Sequence, residues 1–208
     1  MRRFSLQTFL FLVMLCAALL ALGLVQFRYR KLESEVVRLR KEVGHLGTID
    51  PDRINIIQVP TPAEPLVWKW RIYVPPGTKC DRYIQFNGIP ENGIPDFTGG
   101  CSSTVQFAST EEGELVTVAA VAGPDGRYSI HFTGGDSGGI CGGQPIEVFT
   151  GNGSTTTLGG DGVLTLDCDK PIVLIKRRLM EPTGPGSYST PKGDARGFMI
   201  WLVPHPKP

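Results

Sequence analysis

The stretch GGDSGG (134–139) is the part of the chain whose residue types most resemble a catalytic motif. A serine such as Ser137 attacks an acyl carbon when a histidine takes its proton and an aspartate orients that histidine. The chain has three histidines, at His45, His131 and His205. His131 is the nearest to Ser137, but it lies in the run RYSIHFT (127–133). Alternation in that run turns Ile130 and Phe132 inward and His131 outward, so we expect no catalytic pair.

The rest of the chain gives this motif no further support. Trypsin-like serine proteases carry the same five residues GDSGG, but a cysteine precedes their motif, whereas Cys141 follows it here. No segment resembles the histidine motif of these proteases. Residues 52–208 are also a small number for forming the two β-barrels of their fold. We therefore predict a non-enzymatic protein without a cofactor. Asp136 and Ser137 are kept as a candidate ligand loop, and a serine hydrolase acting through Ser137 is the remote alternative.

Glycine-rich loops at 134–143 and 151–162 favour a second hypothesis, a carbohydrate- or calcium-binding module. Asp167 and Asp169 would add oxygen ligands, although the order of residues matches no defined calcium loop. The cationic triplet 176–178 closes an apolar strand. It is typical of charges that protect a sheet edge, with contact to an anionic lipid or polymer as the alternative.

The β-rich part of the chain contains four cysteines without the spacing of a zinc site. They are Cys80, Cys101, Cys141 and Cys168. Two disulfides allow three pairings, and we favour Cys80–Cys101 and Cys141–Cys168 because each pair encloses one loop-rich segment. Four buried thiols are the alternative. Disulfides would place this part outside the cytoplasm.

Short alternating runs broken by Gly, Pro and Asn predict a mainly β fold, an antiparallel β-sandwich-like domain over 66–208. In VWKWRIYV (67–74), Trp68, Trp70 and Ile72 share one face and should pack in the core. Eight further strands are predicted, at 82–86, 103–108, 114–122, 127–133, 145–150, 162–166, 172–179 and 198–203. A mobile insert is expected at 181–197 and a linker at 47–65, with a stiff part from Pro60 to Pro65.

The N-terminal segment predicts a membrane anchor. Residues 6–27 carry no charge and are long enough to span a bilayer, so we expect a cytoplasmic tail at 1–5 and an uncleaved signal-anchor. Cleavage near Ala21-Leu22-Gly23 is the alternative. Basic residues flank both ends of the span, so charge alone leaves its orientation open. With the disulfides, we expect an inner-membrane protein of a bacterium whose C-terminal domain is extracytoplasmic.

Residues 28–46 predict a helical coiled-coil stalk that continues the transmembrane helix. The apolar positions are spaced 4-3-4-3, with valine at a and leucine at d, a pattern that favours parallel dimers. The seam consists of Leu32, Val36, Leu39, Val43 and Leu46. Two attractive inter-chain pairs would flank it, Arg28 with Glu33 and Glu35 with Arg40. A homodimer through the stalk is therefore expected, and packing of the stripe on the chain's own domain is the alternative.

Charge argues against nucleic acid as a partner. Residues 1–50 hold 8 basic and 4 acidic residues, and residues 51–208 hold 13 and 16. The β-rich part is thus slightly acidic and offers no basic face for a phosphate backbone. The partners we expect are the membrane, a second copy of the chain and an envelope protein or polymer.

Four stretches resemble a group of small single-pass proteins that are common in planctomycete-type bacterial genomes. They are RRFSLQTFLFLVML, EVGHLGTIDPDRINII, EPLVWKWRIYVPPG and GFMIWLVP. The resemblance covers both ends of the chain and the start of the β domain, and leaves about 100–170 outside it. It implies a membrane-anchored N-terminus, a short coil and a β-rich domain, and it supplies no catalytic residues.

Overall fold

The computed structural model describes residues 6–47, 49–64 and 66–205. The chain divides into two compact units, Met1–Glu42 and Val43–Pro208. In the first unit, helix α1 spans Leu6–Glu42. Its stretch Phe9–Arg40 is long and apolar enough to cross a membrane, and none of its most apolar window is buried. This agrees with the predicted membrane anchor.

The second unit is mainly β, as predicted. Its strands and its short helix follow in this order: β1 Ile54–Val59, β2 Val67–Tyr73, β3 Lys79–Phe86, β4 Gly100–Val105, β5 Glu114–Ala122, β6 Tyr128–Thr133, β7 Gly139–Gln144, α2 Glu147–Thr150, β8 Gly153–Thr157, β9 Leu164–Leu166, β10 Ile172–Leu179, β11 Glu181–Gly184, β12 Ser187–Ser189 and β13 Gly197–His205.

Two antiparallel sheets enclose one apolar core in a sandwich-like arrangement. The six-stranded sheet has the order β7-β6-β5-β2-β1-β9, and the five-stranded sheet has the order β4-β3-β13-β10-β8. Trp70, Val118 and Phe132 of the first sheet and Leu174 and Ile200 of the second belong to the same buried cluster. These residues are buried because side chains along a strand point alternately to its two faces, so every second residue faces the opposite sheet.

Strand β2 confirms the predicted orientation of its tryptophans. Trp70 and Ile72 are fully buried, and the Trp70 indole Nε1 donates a hydrogen bond of 2.9 Å to the Leu158 carbonyl oxygen. Trp68 is half-buried, with its ring centroid 5.7 Å from that of Phe198. Because the buried indole N–H is satisfied, Trp70 adds its apolar area to the core without the cost of an unpaired donor.

A second apolar cluster covers the outer face of the five-stranded sheet. The connection between β3 and β4 folds over this face and places Ile89 against Met199 and Trp201. Trp201 stacks on Tyr83 with ring centroids 5.2 Å apart. The sheet is therefore packed on both faces at its centre, whereas outer-face residues of its two edge strands, Thr104 of β4 and Thr156 of β8, are exposed.

The domain begins earlier than the sequence predicts. Strand β1 lies inside the segment 47–65 that was expected to be a linker, and it pairs with both β2 and β9. The expected start at 66 is therefore wrong. Residues 61–64 form part of a turn between β1 and β2, in which the Glu64 amide donates to the Thr61 carbonyl oxygen. Of the expected stiff segment Pro60 to Pro65, Pro65 lies outside the described residues.

One predicted strand is wrong, and the insert expected to be mobile contains two short strands. The segment 145–150 was expected to be a strand, but it contains α2, whose Val148 and Phe149 are buried. The insert at 181–197 forms the exposed hairpin β11–β12, and after it Ala195 forms an isolated bridge with Ile89 in the connection between β3 and β4. Its last residue, Gly197, is the first residue of β13.

Candidate functional site

The GGDSGG stretch connects β6 to β7 and is held in place by its own hydrogen bonds. The Asp136 carboxylate accepts a hydrogen bond from the backbone N–H of Gln106, and the backbone N–H of Asp136 donates to the backbone carbonyl oxygen of Gln106, both at 2.9 Å. The Glu114 carboxylate accepts from the amides of Gly135 and Ala108, at 2.6 and 2.7 Å. Asp136 therefore fixes the loop to the chain that follows β4, a structural role.

Close backbone approach explains why this loop needs glycine. Gly135 has a φ of +75°, and a Cβ there would clash with the Val105 side chain. A Cβ at Gly139 would clash with the guanidinium of Arg82. That guanidinium is buried 4.2 Å above the centre of the Phe132 ring, and burial lowers the pKa of Arg82. The glycines thus allow the loop to close over a buried cation.

The hydroxyl of Ser137 has no base. Its Oγ is buried and makes no hydrogen bond to any described residue. His131 lies on β6, where it pairs with Ala119 and Ile140, on the face opposite to the buried Ile130 and Phe132. A serine attacks only when a neighbouring base takes its proton. The predicted ligand-loop residues Asp136 and Ser137 thus lie side by side, but they form no nucleophile–base pair.

Another histidine does meet a carboxylate, on the exposed surface. The His205 Nε2 lies 2.9 Å from Asp81 Oδ2, and Thr104 Oγ1 donates a hydrogen bond of 2.6 Å to Asp81 Oδ1. The hydrogen bond from Thr104, and then His205, lower the pKa of Asp81. These contacts link three neighbouring strands, β4, β3 and β13.

The predicted disulfide pairs are wrong, because the bond joins Cys101 to Cys141. On the ladder of β3 and β4, Cys80 lies opposite Val105, four residues from Cys101, or about 13 Å along the strand. Cys141 lies on β7, at one edge of the six-stranded sheet, whereas Cys168 follows β9 at the other edge, about 24 Å away. Neither favoured pair can approach to disulfide distance.

Cys80 and Cys168 remain free thiols. Cys80 is fully buried, and Cys168 is half-buried against the same core cluster. Burial, and then the neighbouring Cys168, raise the pKa of Cys80 to about 12. Burial also raises the pKa of Cys168. Both are therefore protonated and weakly nucleophilic at neutral pH.

The helix that carries the predicted coiled-coil seam ends earlier than expected. Helix α1 ends at Glu42, before Val43 and Leu46, because Gly44 takes a φ of +67° that breaks the helix. Leu46 is buried in the β unit, where it packs with Ile57 and Tyr73. The alternative of packing on the chain's own domain is correct for this residue.

The first part of the stalk keeps its predicted helix. Leu32, Val36 and Leu39 are on α1 and exposed, as is Val43 just beyond its end. Arg28, Glu33, Glu35 and Arg40 are also on α1, and their inter-chain pairing stays a prediction. Within the helix, Arg38 and Glu42 form an ion pair at 3.5 Å.

A depression on the outer face of the five-stranded sheet was not predicted. It has a volume of about 590 Å³ and is formed by residues from three distant segments of the chain, 91–94, 154–158 and 171–178. Lys176 and Arg178 contribute to it from β10 and Thr156 from β8. The one signal in the sequence was the cationic triplet 176–178, of which only alternate residues turn to this face. Arg177 turns away and donates to carbonyl oxygens around α2.

The second predicted glycine-rich loop, 151–162, contains strand β8, and only the residues after β8 form a loop, which is fixed by its backbone. The Gly159 carbonyl oxygen accepts from the Gln58 amide at 3.1 Å, and the Leu158 carbonyl oxygen accepts from Trp70. Residues 157–164 line a depression of about 510 Å³. Within the described ranges, no group of three or more His, Cys, Asp or Glu side chains is placed to hold a metal ion.

No protein-family model, curated protein or solved structure matches this chain.

Proposed function

We propose that the chain is a non-enzymatic, single-pass membrane protein that presents its β domain outside the cytoplasm for interaction with an envelope component. The observation that carries this proposal is the fully exposed apolar helix Phe9–Arg40, followed by a β unit that is compact by itself. An apolar surface of that length is stable in a bilayer and not in water. The Ser137 hydroxyl has no hydrogen-bonded base among the residues that the structure describes, and this supports the non-enzymatic assignment.

The bond between Cys101 and Cys141 supports the extracytoplasmic side. Structural disulfides form and persist in oxidising compartments, whereas the cytoplasm keeps thiols reduced. This bond therefore favours one of the two orientations that the flanking charges leave open. For a bacterium, the corresponding location is the inner membrane with the C-terminal domain outside.

Protease access tests this orientation. Lys192 and Arg196 are exposed in the segment after β12, so trypsin has cleavage sites on the β domain. We expect cleavage in right-side-out spheroplasts and protection in inverted vesicles until detergent is added. Cleavage of the domain in intact inverted vesicles would place it on the cytoplasmic side and contradict the proposal, as would recovery of the full-length chain in the soluble fraction.

The partner that we propose for the exposed part of α1 is a second copy of the chain. Leu39 lies on the a/d stripe and is 50% exposed, whereas Val37 lies beside the stripe and is 61% exposed. In a parallel dimer, Leu39→Cys side chains would meet across the seam and Val37→Cys side chains would not. We expect oxidation to cross-link membrane-inserted Leu39→Cys chains preferentially. Equal cross-linking of both variants would indicate random collision.

A further inference from the structure

The depression on the outer face of β10 and β8 has the size of a small-ligand site. Its volume of about 590 Å³ lies within the range of about 300–1,000 Å³ that is typical of such sites. The loop residues Asn92 and Ile94 form one side, and Ser154 and Thr156 of β8 form the other. Lys176 and Arg178 stand between them on β10, each opposite one of these hydroxyl residues in the strand ladder.

Both cations lack a carboxylate partner among the described residues. The Lys176 Nζ donates to the Glu91 carbonyl oxygen at 2.6 Å. The Arg178 Nη2 donates to the carbonyl oxygens of Pro191 and Gly193, the former at 2.9 Å. Carbonyl oxygens satisfy hydrogen-bond donors but carry no full negative charge, so the exposed carboxylate of Glu91, which acts on Lys176 from a distance, is the one acidic group in the lining that opposes these two cations.

Arg178 carries a more specific sign of a missing acceptor. The residue is only 6% exposed, and its Nε–H has no hydrogen-bond partner among the described residues. A buried donor without an acceptor is costly, and native structures rarely leave one unsatisfied. An anionic group in the depression would supply the missing charge, and its oxygen would become the missing acceptor once the guanidinium turns its buried Nε–H toward it.

The remaining lining residues suit a ligand with hydroxyl groups. Ser154 and Thr156 contribute hydroxyls and Asn92 an amide, while Ile94 and Val173 provide apolar surface. Side chains that both donate and accept match sugar hydroxyls, which do the same. Glu91 is the one acidic residue in the lining, and it is exposed.

We propose that this depression binds an acidic saccharide, with its anionic group at Lys176 and Arg178 and its hydroxyl groups along Ser154 and Thr156. This proposal rests on the proposed function, because it names the class of envelope component that the β domain meets. The anion is carried by a uronate carboxylate or by a sulfate ester, and the two probes below distinguish them.

Titration calorimetry on the full chain in lipid nanodiscs tests the site. The probes are tetragalacturonate, a sulfated tetrasaccharide, a neutral tetrasaccharide and a short acidic peptide. We expect one of the two acidic saccharides to bind more tightly than the neutral one, and to bind more weakly as salt is added. The tighter acidic saccharide identifies the anion.

Four variants of lining residues and one matched control locate the binding. Lys176→Met should weaken it about 10-fold to 100-fold, because a charge-assisted hydrogen bond is lost, and Lys176→Arg should keep most of it. Thr156→Val removes one hydroxyl from an exposed strand residue and should weaken binding several-fold. Glu91→Gln removes the opposing charge and should tighten it. Lys79→Met, which removes an exposed lysine from β3 outside the depression, is the matched control and should leave the affinity unchanged.

Several outcomes would overturn the inference. They are equal binding of acidic and neutral probes, equal loss in the Lys176→Met and Lys79→Met variants, no binding at about millimolar saccharide, and tighter binding of an acidic peptide than of either acidic saccharide. Flotation and trypsin digestion of the same chain report separately on the anchor and its orientation. A failure of the proposed function is therefore distinguishable from a failure of this site.

Discussion

The bond between Cys101 and Cys141 gives the most quantitative prediction for this protein. It joins β4, at the edge of one sheet, to β7, at the edge of the other, across a sequence separation of 40. In the chain-entropy account, closing a loop of that length destabilises the unfolded chain by about 4 kcal/mol. Replacing both residues with alanine should therefore lower the free energy of unfolding by about 4 kcal/mol, or the Tm by about 10 °C.

Urea unfolding followed by tryptophan fluorescence measures this change, since Trp70 and Trp201 are both buried in the β unit. Wild-type protein should lose the same free energy when a reductant opens the bond. Cys101→Ala and Cys141→Ala should each cost nearly as much as the double variant, because either one removes the bond. Cys168→Ala, a change at a free and half-buried thiol, is the matched control, and its stability should still depend on the reductant.

Two results would refute this reasoning. The first is a peptide map, made without reductant, in which Cys101 is linked to Cys80 or Cys141 to Cys168. The second is a double variant whose unfolding free energy equals that of oxidised wild type. In that case the two edges would be held by packing and hydrogen bonds alone.

Two further predictions concern single residues. Gly135→Ala should destabilise the domain by more than about 2 kcal/mol, because it adds a clash with Val105 to the strain of a left-handed backbone. The control is Gly126→Ala, which has the same φ of +75° but no atom within 4 Å of the added Cβ, and it should cost only about 1 kcal/mol. Equal urea midpoints for the two variants would argue against the clash. At pH 9 an ordinary cysteine is half ionised. The raised pKa and the burial of Cys80 should leave it unmodified by iodoacetamide until urea unfolds the domain, whereas Cys168 should react in the folded protein. Equal rates of modification at the two thiols, measured by mass spectrometry, would contradict this.

The alternation of apolar and polar residues made most strands predictable. Strands without this alternation were missed. The segments 114–122 and 172–179 were predicted with the bounds of β5 and β10, because each shows one clear apolar face. Strand β1 was missed because both of its faces are buried: Ile56 faces the core, and Ile57 packs under Leu46. Strands β7 and β8 consist largely of glycine and threonine and owe their structure to their neighbours, which is a tertiary effect.

The candidate sites depended on register, which the sequence does not reveal. Pairing Cys101 with Cys141 requires knowing that β4 and β7 are both edge strands, a fact of sheet order. The cations Lys176 and Arg178 were noticed as part of one triplet. The pairing of β10 with β8 determines that they face away from Arg177 and lie opposite Thr156 and Ser154. Local sequence identified the residues, whereas the long-range contacts determined their neighbours.

The position of β13 sets the order in which this domain can form. β13 follows every other strand along the chain, yet it lies at the centre of the five-stranded sheet, between β3 and β10. Its partner β3 is more than a hundred residues earlier in the sequence. The sheet therefore cannot be completed while the ribosome is still adding the preceding strands, because β3 and β10 have no partner between them until β13 emerges. The five-stranded sheet is thus the last part of the domain to be completed during synthesis, whereas all strands of the six-stranded sheet are already available before β13 is made.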